Sequence, residues 1–289
     1  MKFKEKFGIN SETSFEDVEL DTDNELFVDP YLIYISRDEF SDRCSNRVVE
    51  YFSKLLHYAK LGDRGNGYKL VRHLKENNEI RLGYSHGTPC GRGLGHNKGK
   101  KLFDILCKSK AVETGLVSDI FDASIMLEKV GYDKISDLTV NIILADLIKY
   151  TQEQCILYNV PMDIVRLKRP VWIAEEEKWE FINNLNLPTH NGNPIILVPK
   201  NFVRPYLVYT YGRFYKVEMI PHYERRVMND PSSGLVKILK RGLVVPSRTK
   251  IRKAFPCLKE NVINYIAEHP ADYKVYKNKE LNYVEEKDV

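Results

Sequence analysis

The feature that most limits the fold is the stretch 131–155, GYDKISDLTVNIILADLIKYTQEQC. Val140, Ile143, Leu144, Leu147, Ile148, Thr151 and Cys155 recur at helical spacing and form one apolar stripe. Asn141, Lys149, Gln152 and Glu153 lie off that stripe. Such a stripe predicts a core helix against which the remainder packs. Upstream, 123–130 reads as a strand or a short helix, and Gly131 as a turn.

The entrance to this helix holds Asp133, Lys134, Ser136 and Asp137 within five residues. Asp137 or Thr139 can cap it, because a short side-chain oxygen accepts from the free N–H groups of the first turn. Asp133 and Asp137 can instead share a divalent cation, since hard cations take oxygen ligands. Lys134 would then stabilise phosphoryl charge, and Ser136 would orient either group. Both readings, cap and turn or metal-binding acids, stand on the same residues.

The chain has 289 residues, 43% hydrophobic and 29% charged, which suffices for one large or two smaller cored domains. A net charge of +4 does not by itself call for a polyanion. The 18 tyrosines predict many ring hydroxyls at polar edges, since a buried phenol needs a partner. Cys44, Cys90, Cys107, Cys155 and Cys257 form no C-x-x-C pair, so a zinc ribbon is not expected and a reducing compartment is. The N-terminus MKFKEKFGIN lacks an apolar signal core, and no apolar run reaches a membrane span. The expectation is a cytoplasmic protein with no membrane partner.

In chain order, residues 1–14 read as a polar lead-in and 15–29 as an acidic segment. Asp29-Pro30 follows an apolar run, as a turn or as a carboxylate placed for a metal. Residues 41–61 read as a helix closed by Gly62, and 68–76 as a shorter one. Residues 81–101, RLGYSHGTPCGRGLGHNKGKK, are rich in glycine and cations. Arg92, Gly93, Gly95, Lys98, Lys100 and Lys101 there can cradle phosphate at the start of a helix over 101–109. The P-loop pattern is incomplete, because no Ser or Thr follows the lysines. A solvated basic loop is the alternative. Glu113, Asp119 and Asp122 follow.

Residues 163–180 read as a hairpin with VWI and WEF around EEEK, and 188–192 as a turn. Residues 195–198 read as a buried strand and 206–220 as an aromatic, basic strand. Residues 237–259 hold Lys237, Lys240, Arg241, Arg248, Lys250, Arg252, Lys253 and Lys259 and no acid. One-signed clustering of this kind is the footprint of a polyanion partner. Residues 258–268 read as a helix, and the tail after Tyr273 as charged and partly disordered.

Three stretches, LFVDPYLI, GRGLG and GYDKISDLTVNII with the following YTQEQC, resemble a group of bacterial proteins over much of the first 200 residues. The chain also loosely resembles the restriction-endonuclease-like nucleases of bacterial antiphage defence. That resemblance implies an Asp and an acid-x-Lys pair holding a metal on a mixed sheet. Asp133 or Asp137 would be the first acid. Glu176-Glu177-Lys178 carries the second pattern in the predicted hairpin turn, and Glu285-Glu286-Lys287 carries it in the tail.

The expected architecture is α/β or α+β, a mixed sheet with flanking helices. A mainly helical part, 1–160, precedes a strand-rich part, 161–289, within two domains or one. The leading functional expectation is a metal-dependent nuclease, with Mg²⁺ or Mn²⁺ held by Asp133 and Asp137, joined by Asp29 or Asp119. Lys134 would face the phosphate. The glycine loop and Lys240, Arg241, Arg248, Lys250, Arg252 and Lys253 would grip the backbone. The alternatives are a non-catalytic nucleic-acid-binding subunit working with a partner protein, and a nucleotide-binding sensor.

Overall fold

The computed structural model describes residues 1–83 and 95–282, with side chains from 99 onward in the second segment. The helices of the first half are α1 (Phe3–Phe7), α2 (Pro30–Ile35), α3 (Glu39–Leu61), α4 (Arg64–Val71), α5 (Gly95–Lys108), α6 (Lys110–Glu113), α7 (Ile120–Met126) and α8 (Tyr132–Leu157). The second half holds β2 (Asp163–Val165), β3 (Val171–Ile173), β4 (Lys178–Glu180), β5 (Leu185–Leu187), β6 (Thr189–His190), β7 (Asn193–Pro194) and β8 (Val203–Arg204). β8 pairs back to β1 (Phe27–Val28). Then come α9 (Tyr211–Phe214), α10 (Ile220–Asn229), β9 (Val236–Ile238), β10 (Val244–Pro246), α11 (Arg248–Ala254), α12 (Lys259–Glu268) and α13 (Pro270–Asn282).

The fold is α+β, helical in its N-terminal half with strands in its C-terminal part. The strands do not merge into one mixed layer. Among the described residues they form five two-stranded antiparallel ladders, β1·β8, β2·β5, β3·β4, β6·β7 and β9·β10. Each is short, so stability comes from the helices and ladders packed on α8 rather than from a continuous sheet.

α8 is the central element, packed by β3, α3 and β1. Its burial extends beyond one stripe. Asn141 and Asp146 are almost wholly inside, each 2% exposed, against the expectation that Asn141 faces outward. Both have partners. Asn141 donates to the Lys75 and Asp137 carbonyls at 2.6 Å and accepts from Arg169 at 3.0 Å. Arg43 and Arg47 of α3 reach Asp146 at 3.2 and 3.1 Å. A buried carboxylate needs such a clasp, and here the clasp ties α3 to α8.

One buried cluster runs from Phe27 to Tyr276 and draws on both halves of the chain. A second gathers Phe3, Phe15 and Leu20 around Tyr150, Cys155, Ile195 and Leu197. The polar-looking lead-in is therefore part of a core, because α1 turns Phe3 inward. The β3·β4 hairpin forms as read, with Trp172 opposite Trp179 and ring centroids 5.5 Å apart. Residues 195–198 are buried as expected but pair in no strand.

Two local expectations give way. The short helix forms at Arg64–Val71 rather than at 68–76, since Asp63 caps it by accepting from Asn66 N–H. Residues 206–220 are not a strand. Thr210 caps α9 by accepting from Arg213 N–H, and a π-turn over Tyr215–Met219 carries the chain into α10. The extra residue in that turn breaks the 3.6 spacing by which a helix is recognised. The tail after Tyr273 continues α13 through Asn282, and 283–289 lie outside the described residues. α13 buries Tyr273, Tyr276 and Glu280, although its own sequence is polar.

Candidate nucleic-acid interface

The basic run folds into a small module between α9 and α12. α10 buries Ile220 and Val227 and exposes Arg225, Arg226 and Met228. The β9·β10 hairpin follows, with Ile238 opposite Val244 and Lys237 opposite Val245. Leu239 N–H donates to the Leu243 carbonyl at 2.8 Å, which closes the ladder under a three-residue turn, Lys240–Gly242. Arg241 and Gly242 both take left-handed backbone, φ 70° and 75°. Glycine adopts this freely, whereas the arginine is held there by the turn.

Ser247 joins the hairpin to α11. Its N–H donates to the Leu235 carbonyl at 2.8 Å, and its side chain accepts from Lys250 N–H as the cap of α11. Ile251 is the buried anchor of that helix. The other face carries Arg252 and Lys253, both exposed.

The predicted phosphate ligands divide by environment. Lys240, Arg241, Arg252 and Lys253 are exposed and in no ion pair among the described residues. Lys250 is exposed too, and its ammonium donates to the Gly234 carbonyl at 3.2 Å. Arg248 has another task. It forks onto Glu224 at 2.7 and 3.1 Å and so fastens α11 to α10. Lys259 is drawn inward, donating to the Val130 carbonyl with its ammonium 5.7 Å from the Tyr211 ring centre. Burial lowers its pKa to about 8. It holds α12 against the 127–131 turn.

Four aliphatic side chains stand out at the hairpin: Ile238, Leu239, Leu243 and Val244 are 73, 42, 60 and 47% exposed. They belong to both faces of the ribbon, so the tip projects from the body. Sequence reading counted the cations here and passed over these residues. The signal was present as ILKRGLVV, an apolar pattern with no polar face.

The glycine loop is covered only at its end. Arg92 and Gly93 lie outside the described residues, as does the Lys98 side chain. Gly95 begins α5. Lys101 is exposed, while Lys100 sits with its ammonium 5.3 Å from the Tyr68 ring centre. Gly99 serves packing. A Cβ there would lie 2.0 Å from the Val71 carbonyl oxygen, so only glycine lets α5 approach α4.

The helix entrance differs from its sequence reading. Gly131 takes the cap position and α8 begins at Tyr132. Asp133 and Lys134 are thus in the first turn, and Asp137 is one turn further on. Neither Asp137 nor Thr139 is a cap. Thr139 donates its hydroxyl to the Ile135 carbonyl at 2.8 Å. Ser136 faces inward, its hydroxyl oxygen accepting from Val28 N–H at 2.9 Å. Asp133 is exposed and Asp137 half-buried. The Lys134 ammonium is turned back onto the Lys129 carbonyl. A cavity of about 40 Å³ beside Lys75, Lys134 and Asp137 has room for little more than a water.

The other two acids do not join them. Asp29 is buried as the cap of α2, with one oxygen accepting from Tyr31 N–H at 2.9 Å and the other from Val208 N–H at 2.6 Å. Burial raises its pKa to about 6 against the pull of those N–H groups. Asp119 caps α7, accepting from Phe121 and Asp122 N–H, and pairs with Lys277 at 2.6 Å. Asp29 is thus taken up by backbone, and Asp119 by backbone and Lys277. Among the described residues no three His, Cys, Asp or Glu side chains converge as a metal site would require. The four acids are therefore not brought together as one group. Glu176 and Lys178 lie in the β3·β4 turn and pair with each other at 2.6 Å.

A polar cluster unanticipated from sequence surrounds Asp122, which is 1% exposed. It accepts from Ser118 N–H and hydroxyl at 2.7 Å each, from Tyr273 hydroxyl at 2.6 Å and from Lys277 ammonium at 2.8 Å. Tyr209 hydroxyl donates onward to Tyr273 at 3.3 Å. Burial opposes the charge of Lys277, yet Asp122 and Asp119 beside it raise its pKa. Burial and Asp122 raise that of Asp119. Arg213 completes the fastening of α13 with a fork onto Glu280 at 2.9 and 3.1 Å.

A family model described as "Domain of unknown function (DUF8370)" matches residues 8–210. No curated protein and no solved structure matches the chain significantly.

Proposed function

For this chain, which belongs to the DUF8370 family, we propose that the protein binds the phosphate backbone of nucleic acid through the α10–hairpin–α11 module. The observation that carries this reading is the charge of that module. From 231 to 259 there is no acid, and Lys240, Arg241, Arg252 and Lys253 stand in solvent without an opposing partner among the described residues. Cations left in this state attract a polyanion, and releasing its condensed counterions drives association. The family match ends at 210, before the module begins. The proposal therefore concerns a segment outside the matched region.

A salt series of fluorescence anisotropy on labelled DNA and RNA tests the reading. Affinity should fall steeply between about 50 and 200 mM salt, with a log–log slope near −0.9 per phosphate contacted on duplex DNA. Binding that ignores salt, or no binding, overturns it.

Phosphodiester cleavage at the start of α8 is a second reading. It is favoured by Asp133, Lys134 and Asp137 sharing the first two turns of one helix. Incubating bound DNA and RNA with Mg²⁺ or Mn²⁺ tests it. Cleavage that survives Asp137→Asn would end it.

A further inference from the structure

The cations of the module say that a polyanion comes to it. The uncharged side chains between them say how it is held. Two apolar rungs, Leu239 opposite Leu243 and Ile238 opposite Val244, lie directly beneath the cationic turn Lys240–Gly242. All four are exposed. Bare aliphatic groups at a projecting tip lose hydrophobic stabilisation until something apolar covers them. Within a polyanion, the apolar surfaces available are the faces of bases.

The residue types then discriminate among nucleic acids. Residues 225–254 contain no Phe, Tyr, Trp or His. The nearest aromatic pair, Tyr223 and Phe255, is stacked on itself with centroids 3.9 Å apart. Single strands are held on aromatic platforms; the hairpin and α11 offer none, and Tyr223 of α10 is covered by Phe255. Membrane-surface segments likewise place Trp and Tyr at the interface. Leu, Ile and Met beside Lys and Arg are instead the set that enters a duplex groove and wedges between base steps.

Resting on the nucleic-acid reading above, we propose that the β9·β10 hairpin inserts its tip into the minor groove of duplex DNA. Leu239 and Leu243 wedge into a base step, unstack it and bend the duplex. Lys240 and Arg241 sit at the groove walls, and Arg252 and Lys253 of α11 meet the backbone alongside, so that the bend brings more phosphate onto the module.

The test uses the full chain and a DNA duplex of about 30 base pairs, a length on which a kink of tens of degrees is readable. The duplex carries 2-aminopurine at internal steps and a fluorophore pair at its ends. The same strand alone, an RNA duplex and vesicles of phosphatidylserine and phosphatidylcholine serve as competitors. Expected on binding are a rise in 2-aminopurine emission and a shortened end-to-end distance. Leu239→Ala with Leu243→Ala should abolish both signals and weaken duplex binding while the salt slope is kept, because the apolar contact is lost and the phosphate contacts remain. Leu239→Met with Leu243→Met should retain them. Circular dichroism melts of these surface variants control for folding.

Tight binding with neither unstacking nor bending overturns the wedge and leaves the phosphate-binding reading standing. Preference for the single strand, the RNA duplex or the vesicles over duplex DNA also overturns the wedge. Absence of binding to any nucleic acid overturns both.

Discussion

Lys277 and Lys240 carry the same charge in opposite surroundings. Lys277 lies inside, between Asp119 and Asp122, with Ser118 and Tyr273 completing the shell. Lys240 lies at the tip of a hairpin in solvent, and among the described residues it has no ion pair. The first charge is spent within the molecule, where it fastens α13 to α7. The second remains available to a partner. Charge content alone could not separate them, since both residues sit in cation-rich stretches of sequence. What separates them is whether the fold brings an acid to them. Substitutions should therefore split cleanly, the inner group acting on stability and the outer group on binding.

The largest effect is expected at the inner site. Lys277→Met leaves Asp122 buried without its cation, which costs about 3–5 kcal/mol for a broken buried pair. Urea unfolding should show a lower midpoint, with nucleic-acid affinity unchanged under folding conditions. An unchanged midpoint would mean that α13 is not held by this cluster.

The next effect concerns pH. Asp29 has a folded-state pKa raised to about 6 by burial. Between the ordinary carboxyl value and 6, the folded state keeps a proton that the unfolded state has released. Stability is then greatest below about pH 4 on this account, and falls as pH rises to 6. At about 1.4 kcal/mol per unit the loss approaches about 3 kcal/mol. Asp29→Asn should flatten that slope. It should also lower stability outright by about 1–3 kcal/mol, because one of the two backbone N–H groups loses its acceptor. Chemical denaturation from pH 4 to 7 measures both.

At the outer site, Lys240→Ala with Arg241→Ala should weaken duplex binding by roughly tenfold at low salt and reduce the salt slope by about 2. The melting temperature should hold, since both side chains stand in solvent and alanine keeps the same left-handed backbone at 241. A matching fall in melting temperature would break the contrast between the two regions.

The smallest effect is expected at Arg248, which bridges the two behaviours. It is surface-exposed, yet forked onto Glu224. Arg248→Gln should change affinity less than the tip variant does. Exchanging both partners, Arg248→Glu with Glu224→Arg, should restore whatever binding is lost if the role is to seat α11. If instead Arg248 grips phosphate, the exchange will not restore it.

Much of the fold is legible from the chain. The 23-residue helix α3 ends at Gly62, φ 67°, as its sequence indicates. The Trp172–Trp179 hairpin forms around its acidic turn. Many of the tyrosines find polar partners, as with Tyr31 to the Glu280 carbonyl, Tyr51 to that of Leu70 and Tyr215 to that of Phe255. These features depend on period, cap and residue type over a few positions. The candidate site was legible in part, because an unbroken basic run remains one-signed wherever the chain puts it.

The sequence by itself determined the central helix, the turns around it and the sign of charge at 237–259. Each follows from interactions between near neighbours along the chain. Only the tertiary structure decided which charges would be neutralised. It took Asp29 and Asp119 as helix caps, clasped Asp146 with Arg43 and Arg47, and held α13 through Lys277 and Glu280. It also left Ile238, Leu239, Leu243 and Val244 uncovered. The reason is physical. A buried charge is tolerable only where a partner and hydrogen bonds converge on it, and these partners lie as far as 179 positions away along the chain.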